Sequence, residues 1–290
     1  MTTTDGGTRA PLTTYLSLTA LLSAIFYTLI IRAGSLSAHN GLYVFALMWS
    51  PGTSALVTRL IFQHNVRGEG WGWGGARGTR LAILAYVLPL GYATAAYGFV
   101  WLARLGGVDL SRFNIPLTVF FLQGTAGSLV SATGEELGWR GFLVPTLAKT
   151  MPFERVALIS GAIWALWHMP LIIFADYNNG APAWYSVVCF AVMVVALGFP
   201  FAWLRLRSGS VWPAAILHAS HNLFVQAFFD RVTVNTGWTN WLTSEFGAAL
   251  ALAIVATAWF FWRARGALDQ PNVGAVGGSL PVARGERVAV

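Results

Sequence analysis

The chain has 290 residues, of which 56% are hydrophobic and only 10% charged, against about 25% charged in a soluble domain. With a mean hydropathy of +0.60, this balance excludes a soluble globular enzyme and predicts an all-α polytopic membrane protein. The formal charge of +7 points to no nucleic-acid partner, because the basic residues are scattered singly through short loops and no basic stripe alternates with aromatics. They suit orientation in a bilayer and contact with membrane lipids.

Residues 1–11 are rich in Thr and Gly and predict a mobile tail. Eight apolar stretches come next, at about 12–31, 41–63, 80–102, 115–137, 155–174, 184–204, 211–230 and 243–262. Each is near the ~20 residues that cross a hydrocarbon core. Small residues Ala33, Gly34 and Ser35 stand behind the first stretch, as behind a signal peptide, but only Arg9 precedes it and seven more spans succeed it. It is expected to stay as an anchor. Residues 266–290, with Gly, Ala and Arg in no apolar period, predict a second tail, disordered, and leave 12–265 as the membrane domain.

Arg9, Arg59, Arg67, Arg77, Arg80, Lys149, Arg155, Arg205, Arg207, Arg263 and Arg265 fall on one side of this arrangement. Arg32, Arg104, Arg112 and Arg231 fall on the other. The excess marks the first side, with both termini, as cytoplasmic, and the expected location is the cell membrane. On that side the stretch Gly68–Gly78, with Trp71 and Trp73, reads either as a headgroup-anchored loop or as a lip at the interface. Cys189 is the one cysteine, so no intrachain disulfide or thiolate metal cluster is expected.

Charge at membrane depth costs roughly 2.5–3.5 kcal/mol per residue on insertion scales, so ionisable residues inside spans mark a functional site. Here they are Glu135, Glu136, Arg140, His168, His218 and His221, with Asn222 beside the last. Glu136 and Arg140 are four apart and predict a pair on one helix face. Glu135 points about 100° away. A carboxylate locked to a guanidinium is a poor base, whereas a neighbour facing a cavity keeps a lone pair for water. Glu135 is therefore the expected base and Glu136 with Arg140 the brace. Gly127, Ser131, Gly134 and Gly138 form a small-residue face that predicts close helix packing around a water-poor pocket.

In the fifth span Pro170 is expected to open the helix ladder close to His168. In the seventh, His218 and Asn222 share a face by their spacing of four, and His221 flanks them. Two hydrogen-bonding side chains stacked in this way suit an oxyanion. All these sites are expected in the cytoplasmic half of their spans, or near the middle for His168. Other chemistries lack their residues: there is no Gly-x-Ser-Gly segment, no pair of aspartates inside spans and no His-Glu-x-x-His. The only lysine, Lys149, lies in a loop. Carboxylate plus imidazole is left, a pair able to activate water and return its proton to a leaving amine.

Glu135-Glu136-x-x-x-Arg140, Trp164-x-x-x-His168 and His218-x-x-x-Asn222, on three separate spans, resemble the signature of the CPBP (Abi) family. That family includes type II CAAX prenyl endopeptidases and bacterial bacteriocin-processing or self-immunity proteins. The resemblance covers roughly residues 134–222; Trp164 stands where the family often has Phe, and His221 is not required by the pattern. It implies an intramembrane endopeptidase whose site opens toward the cytoplasmic leaflet; a direct attack by water, with no cofactor, is the mechanism expected here. By that analogy Glu135 activates water, His168 positions it or shares its proton, His218 and Asn222 bind the oxyanion, and Glu136 and Arg140 support the site, with Trp164 and His221 beside them. The substrate implied is a membrane-associated peptide or lipidated protein. Three alternatives stay open: a zinc enzyme with Glu135, His168, His218 and His221 as ligands, a transporter or proton relay, and an immunity-type binding protein.

Overall fold

The computed structural model describes residues 6–113 and 115–268. Helices α1 (Gly6–Ala33), α2 (Leu42–Gln63) and α3 (Gly75–Leu102) come first. Helix α4 (Leu117–Glu136) runs through a π-helical segment, Leu137–Leu143, into the short α5 (Val144–Leu147). Then come α6 (Phe153–Phe174), α7 (Ala183–Ser208) and α8 (Trp212–His221). A second π-helical segment, Asn222–Phe229, carries α8 into α9 (Asp230–Val232), followed by α10 (Thr239–Leu242) and α11 (Ala248–Arg263).

Among the described residues, six helices are long and apolar enough to cross a membrane, at 8–33, 38–63, 75–102, 153–174, 183–208 and 248–267. The expected stretches 115–137 and 211–230, which carry most of the charged cluster, are not among them. Gln, Gly, Ser and Thr dilute the first, and the second is a ten-residue α-helix continued as a π-helix. Helix α1 begins at Gly6, so residues 6–11 extend the first helix where the sequence predicted a tail. The second predicted tail is a 3-10 turn through Ala267, and its residues 269–290 lie outside the described ones, as do residues 1–5.

Two sets of loops close the bundle at opposite ends. At the end carrying the termini, Val211 N donates to Gly70 O at 3.0 Å and Trp212 Nε1 to Trp71 O at 2.8 Å. At the other end Asp176 accepts from Ser35 Oγ and Leu36 N at 2.9 and 2.7 Å, and Asn179 donates to Asn240 O at 2.8 Å. Two short antiparallel strands, β1 (Gly107–Val108) and β2 (Thr233–Val234), add a clasp at that same end.

Large aromatic side chains fill the centre of the bundle, and apolar side chains also cover its outside. Trp139, Phe142, Phe153, Phe190 and Phe201 are fully buried, while Leu102, Leu122 and Leu166 are exposed, as suits a chain whose exterior meets lipid. Glycines set the helix spacing where backbones touch. A Cβ on Gly52 would lie 2.4 Å from Gly134 O, one on Gly138 2.5 Å from Pro51 Cβ, and one on Gly198 2.4 Å from Ala157 O. The small-residue face of α4 is thus only half used: Gly134 and Gly138 meet α2, but Gly127 faces open space and the Ser131 hydroxyl returns to its own helix. The close packing runs along the Gly134 side.

Candidate active site

Glu135 and Glu136 are the last residues of α4, both buried, and their side chains part as the helical angle requires. Arg140 Nη1 donates to Glu136 Oε1 at 2.9 Å, the i,i+4 pair read from the sequence. The guanidinium lies between two rings, 4.2 Å from the centroid of Trp164 and 3.9 Å from that of Phe201. His218 Nδ1 donates to the same Glu136 oxygen at 2.9 Å. Glu136 therefore joins α4 to α8 as well as bracing Arg140.

Glu135 turns the other way. Its Oε2 accepts from Trp164 Nε1 at 2.8 Å and from Trp139 Nε1 at 3.3 Å. No hydrogen bond among the described residues engages its Oε1, and the residue lines a cavity of about 220 Å³. His168, His218 and Asn222 line the same cavity. His168 Nδ1 donates to Trp164 O at 2.9 Å, which leaves Nε2 to face elsewhere. Trp167, at 4.8 Å between ring centroids, and Phe190, at 5.0 Å, pack on the ring. Helix α6 runs through Pro170 without a break in its assignment. Asn222, half-buried, is the first residue of the second π-helical segment, as Leu137, just after the two glutamates, is of the first. Both motifs thus sit at helix irregularities of a kind frequent at functional sites.

His221 is placed differently. Its Nε2 donates to Glu245 Oε1 at 3.0 Å and its Nδ1 meets the Tyr92 hydroxyl at 2.6 Å. Glu245 Oε2 accepts from Gln226 Nε2 at 2.9 Å and from the Tyr177 hydroxyl. Burial, above all, and the nearby Glu245 charge hold the Tyr177 phenol well above its ordinary range, so it stays a donor. Glu245, Gln226 and Tyr177 line the cavity too, and sequence reasoning did not find them. One signal was present: Glu245 is an acidic residue inside the last apolar stretch, 243–262.

The zinc set Glu135, His168, His218 and His221 does not assemble. Both ring nitrogens of His221 are engaged, and among the described residues no three His, Cys, Asp or Glu side chains are grouped to hold an ion. The cavity's depth also departs from the sequence expectation. Its lining runs from Glu135 and His218 to Leu36, Tyr177 and Glu245, at the end of the bundle away from the termini. The cause is the continuation of α4 through residues 137–147, which puts Glu135 near mid-bundle instead of at a span end.

Residues 117–224 match the family model described as Type II CAAX prenyl endopeptidase Rce1-like. Over this segment, which is less than half of the chain, the sequence is similar to that family. A CAAX prenyl protease 2 from Methanococcus maripaludis is 29% identical over 143 residues, which are 47% of this chain and 47% of that protein. The chain thus aligns with about half the length of this curated relative. The Rce1-like segment contains Glu135, Glu136, Arg140, Trp164, His168, His218, His221 and Asn222, whereas Glu245 lies beyond it.

Proposed function

We propose that this chain is an intramembrane endopeptidase in which Glu135 activates a water molecule for direct attack on a peptide bond, with no covalent intermediate. The observation that carries the reading is the asymmetry of Glu135: two indoles hold Oε2, while Oε1 faces a cavity shared with His168, His218 and Asn222. A base needs a free lone pair in a fixed place, and this carboxylate combines the two. His168 Nε2, on the far side of a ring pinned at Nδ1, orients the water. His218, held through Nδ1 by the Glu136 carboxylate, presents Nε2–H as an imidazolium, and the Asn222 amide is the second oxyanion donor.

The substrate proposed is a peptide or lipidated protein that reaches the cavity from the membrane. The bundle crosses the cell membrane eight times, α4 with its continuation and α8 with its continuation being the two spans of lower hydropathy. Both termini are cytoplasmic, on the basic-rich side. No step needs a metal, so activity is expected to survive chelation of the purified protein; loss on chelation with return on zinc overturns the metal-free reading. The central experiment compares membranes from cells carrying the native chain and Glu135→Gln for peptide termini that appear only with the native chain. Identical termini in both would remove the proteolytic reading.

A further inference from the structure

The Gly-rich stretch at residues 68–78 plays no part in the candidate site, and it borders a second cavity. A groove of about 390 Å³ runs between α3, α4 and α8, from Trp73 and Thr79 near the terminus-bearing end to Val87, Leu129 and Ala219. Its α3 wall is Thr79, Ala82, Ile83, Tyr86 and Val87, a helical stripe. At 1.5 Å per residue this wall extends about 12 Å, close to the ~15 Å depth of one leaflet of a ~30 Å core. The Tyr86 and Thr125 hydroxyls bond to each other at 3.0 Å and so present no unmet polar group to a guest. Ile83 and Val87 are 62% and 51% exposed, so the groove opens sideways, toward lipid.

Its mouth has a different character. Trp73 Nε1 donates to Thr79 Oγ1 at 2.9 Å, which holds the indole over the first turns of α3. Gly78 is required there: a Cβ would lie 1.7 Å from Trp73 O. Arg77 and Arg80 are exposed on those same turns. By helical spacing Arg80 shares a face with Ile83 and Val87, three and seven residues on. A chain lying in the groove thus brings its head to two guanidinium groups and an indole, the combination that favours a phosphate at a membrane interface.

We propose that this groove binds an anionic phospholipid, one acyl chain lying between α3, α4 and α8 and the headgroup phosphate held by Arg77 and Arg80 beside Trp73. The site is separate from the candidate active site but shares a wall with it. Ile216 and Ala219 of α8 face the groove, while His218 and Asn222 face the catalytic cavity. A seated lipid supports the back of the helix that carries the oxyanion donors.

The test uses the full chain in neutral detergent, with phosphatidylglycerol and phosphatidylcholine of identical acyl chains, read by native mass spectrometry and by the shift in melting temperature. Phosphatidylglycerol is expected to be retained at least fivefold more tightly and to raise the melting temperature more. The double variant Arg77→Gln, Arg80→Gln, on exposed positions, should reduce phosphatidylglycerol to the phosphatidylcholine level. Ala82→Leu, which fills the groove, should weaken both lipids, and the arginine variant carries the test if Ala82→Leu does not fold. Equal retention of the two lipids, or a preference untouched by the arginine variant, overturns the proposal. So does displacement of phosphatidylglycerol by a farnesylated peptide, which would make the groove the seat of a substrate's own lipid tail.

Discussion

The two ends of the central cavity hold the same residue types and use them in opposite ways. At mid-bundle, Glu135, His168, His218 and Asn222 each keep at least one polar atom outside the hydrogen bonds made among the described residues. At the far end, Glu245, His221, Tyr92, Tyr177 and Gln226 bond to one another until both oxygens of the glutamate and both nitrogens of the histidine are engaged. A buried polar network that is satisfied holds structure, whereas one with unmet valences is available to a substrate. A glutamate and a histidine in one cavity are therefore not evidence of chemistry until their partners are counted.

That contrast can be broken by substitution, and the largest effect is expected at Glu135. Glu135→Gln keeps the shape and the indole contacts but removes the base, so cleavage should fall by on the order of 10³-fold or more, with an unchanged melting temperature. Asn222→Ala should lower kcat by about 10²–10³-fold, the size of one lost oxyanion donor, and leave KM nearly unchanged. An effect confined to KM would move Asn222 from the reacting atoms to substrate capture.

Glu136→Gln tests the brace. Arg140 and Glu136 are 1% and 0% exposed, so removing the acid strands a buried guanidinium. A loss of about 3–5 kcal/mol is expected in denaturant unfolding, where Glu135→Gln shows little. The smallest effect belongs to the far end. Glu245→Gln leaves the His221, Tyr177 and Gln226 groups partly unpaired and should cost about 1–3 kcal/mol of stability, with kcat within a few-fold of native. A collapse of kcat at full stability would give Glu245 a place in the reaction.

Part of the site was legible because it is local. Glu136 and Arg140, four apart on one helix, form the expected pair. Trp164 and His168 are linked by a ring nitrogen to a carbonyl four residues back, again a helical neighbour. The role of Glu136 toward His218 was hidden, since the two are 82 positions apart. So was His221, whose partners are 24 and 129 positions away. The small-residue face was misread at Gly127 for a related reason: spacing marks which residues share a face but not which neighbouring helix covers it.

Hydropathy by itself determined that this is a helical membrane protein, because apolar runs of span length have few other stable solutions in lipid. Spacing by itself determined which polar residues stack along each helix. Tertiary structure alone decided which of them remain free. The π-helical segments after Glu136 and His221 depart from the 3.6-residue period, and each extra residue in a turn rotates the rest of the helix by about 100°. Packing between helices distant in sequence then left one oxygen of Glu135 without a hydrogen bond among the described residues and gave both nitrogens of His221 partners of their own.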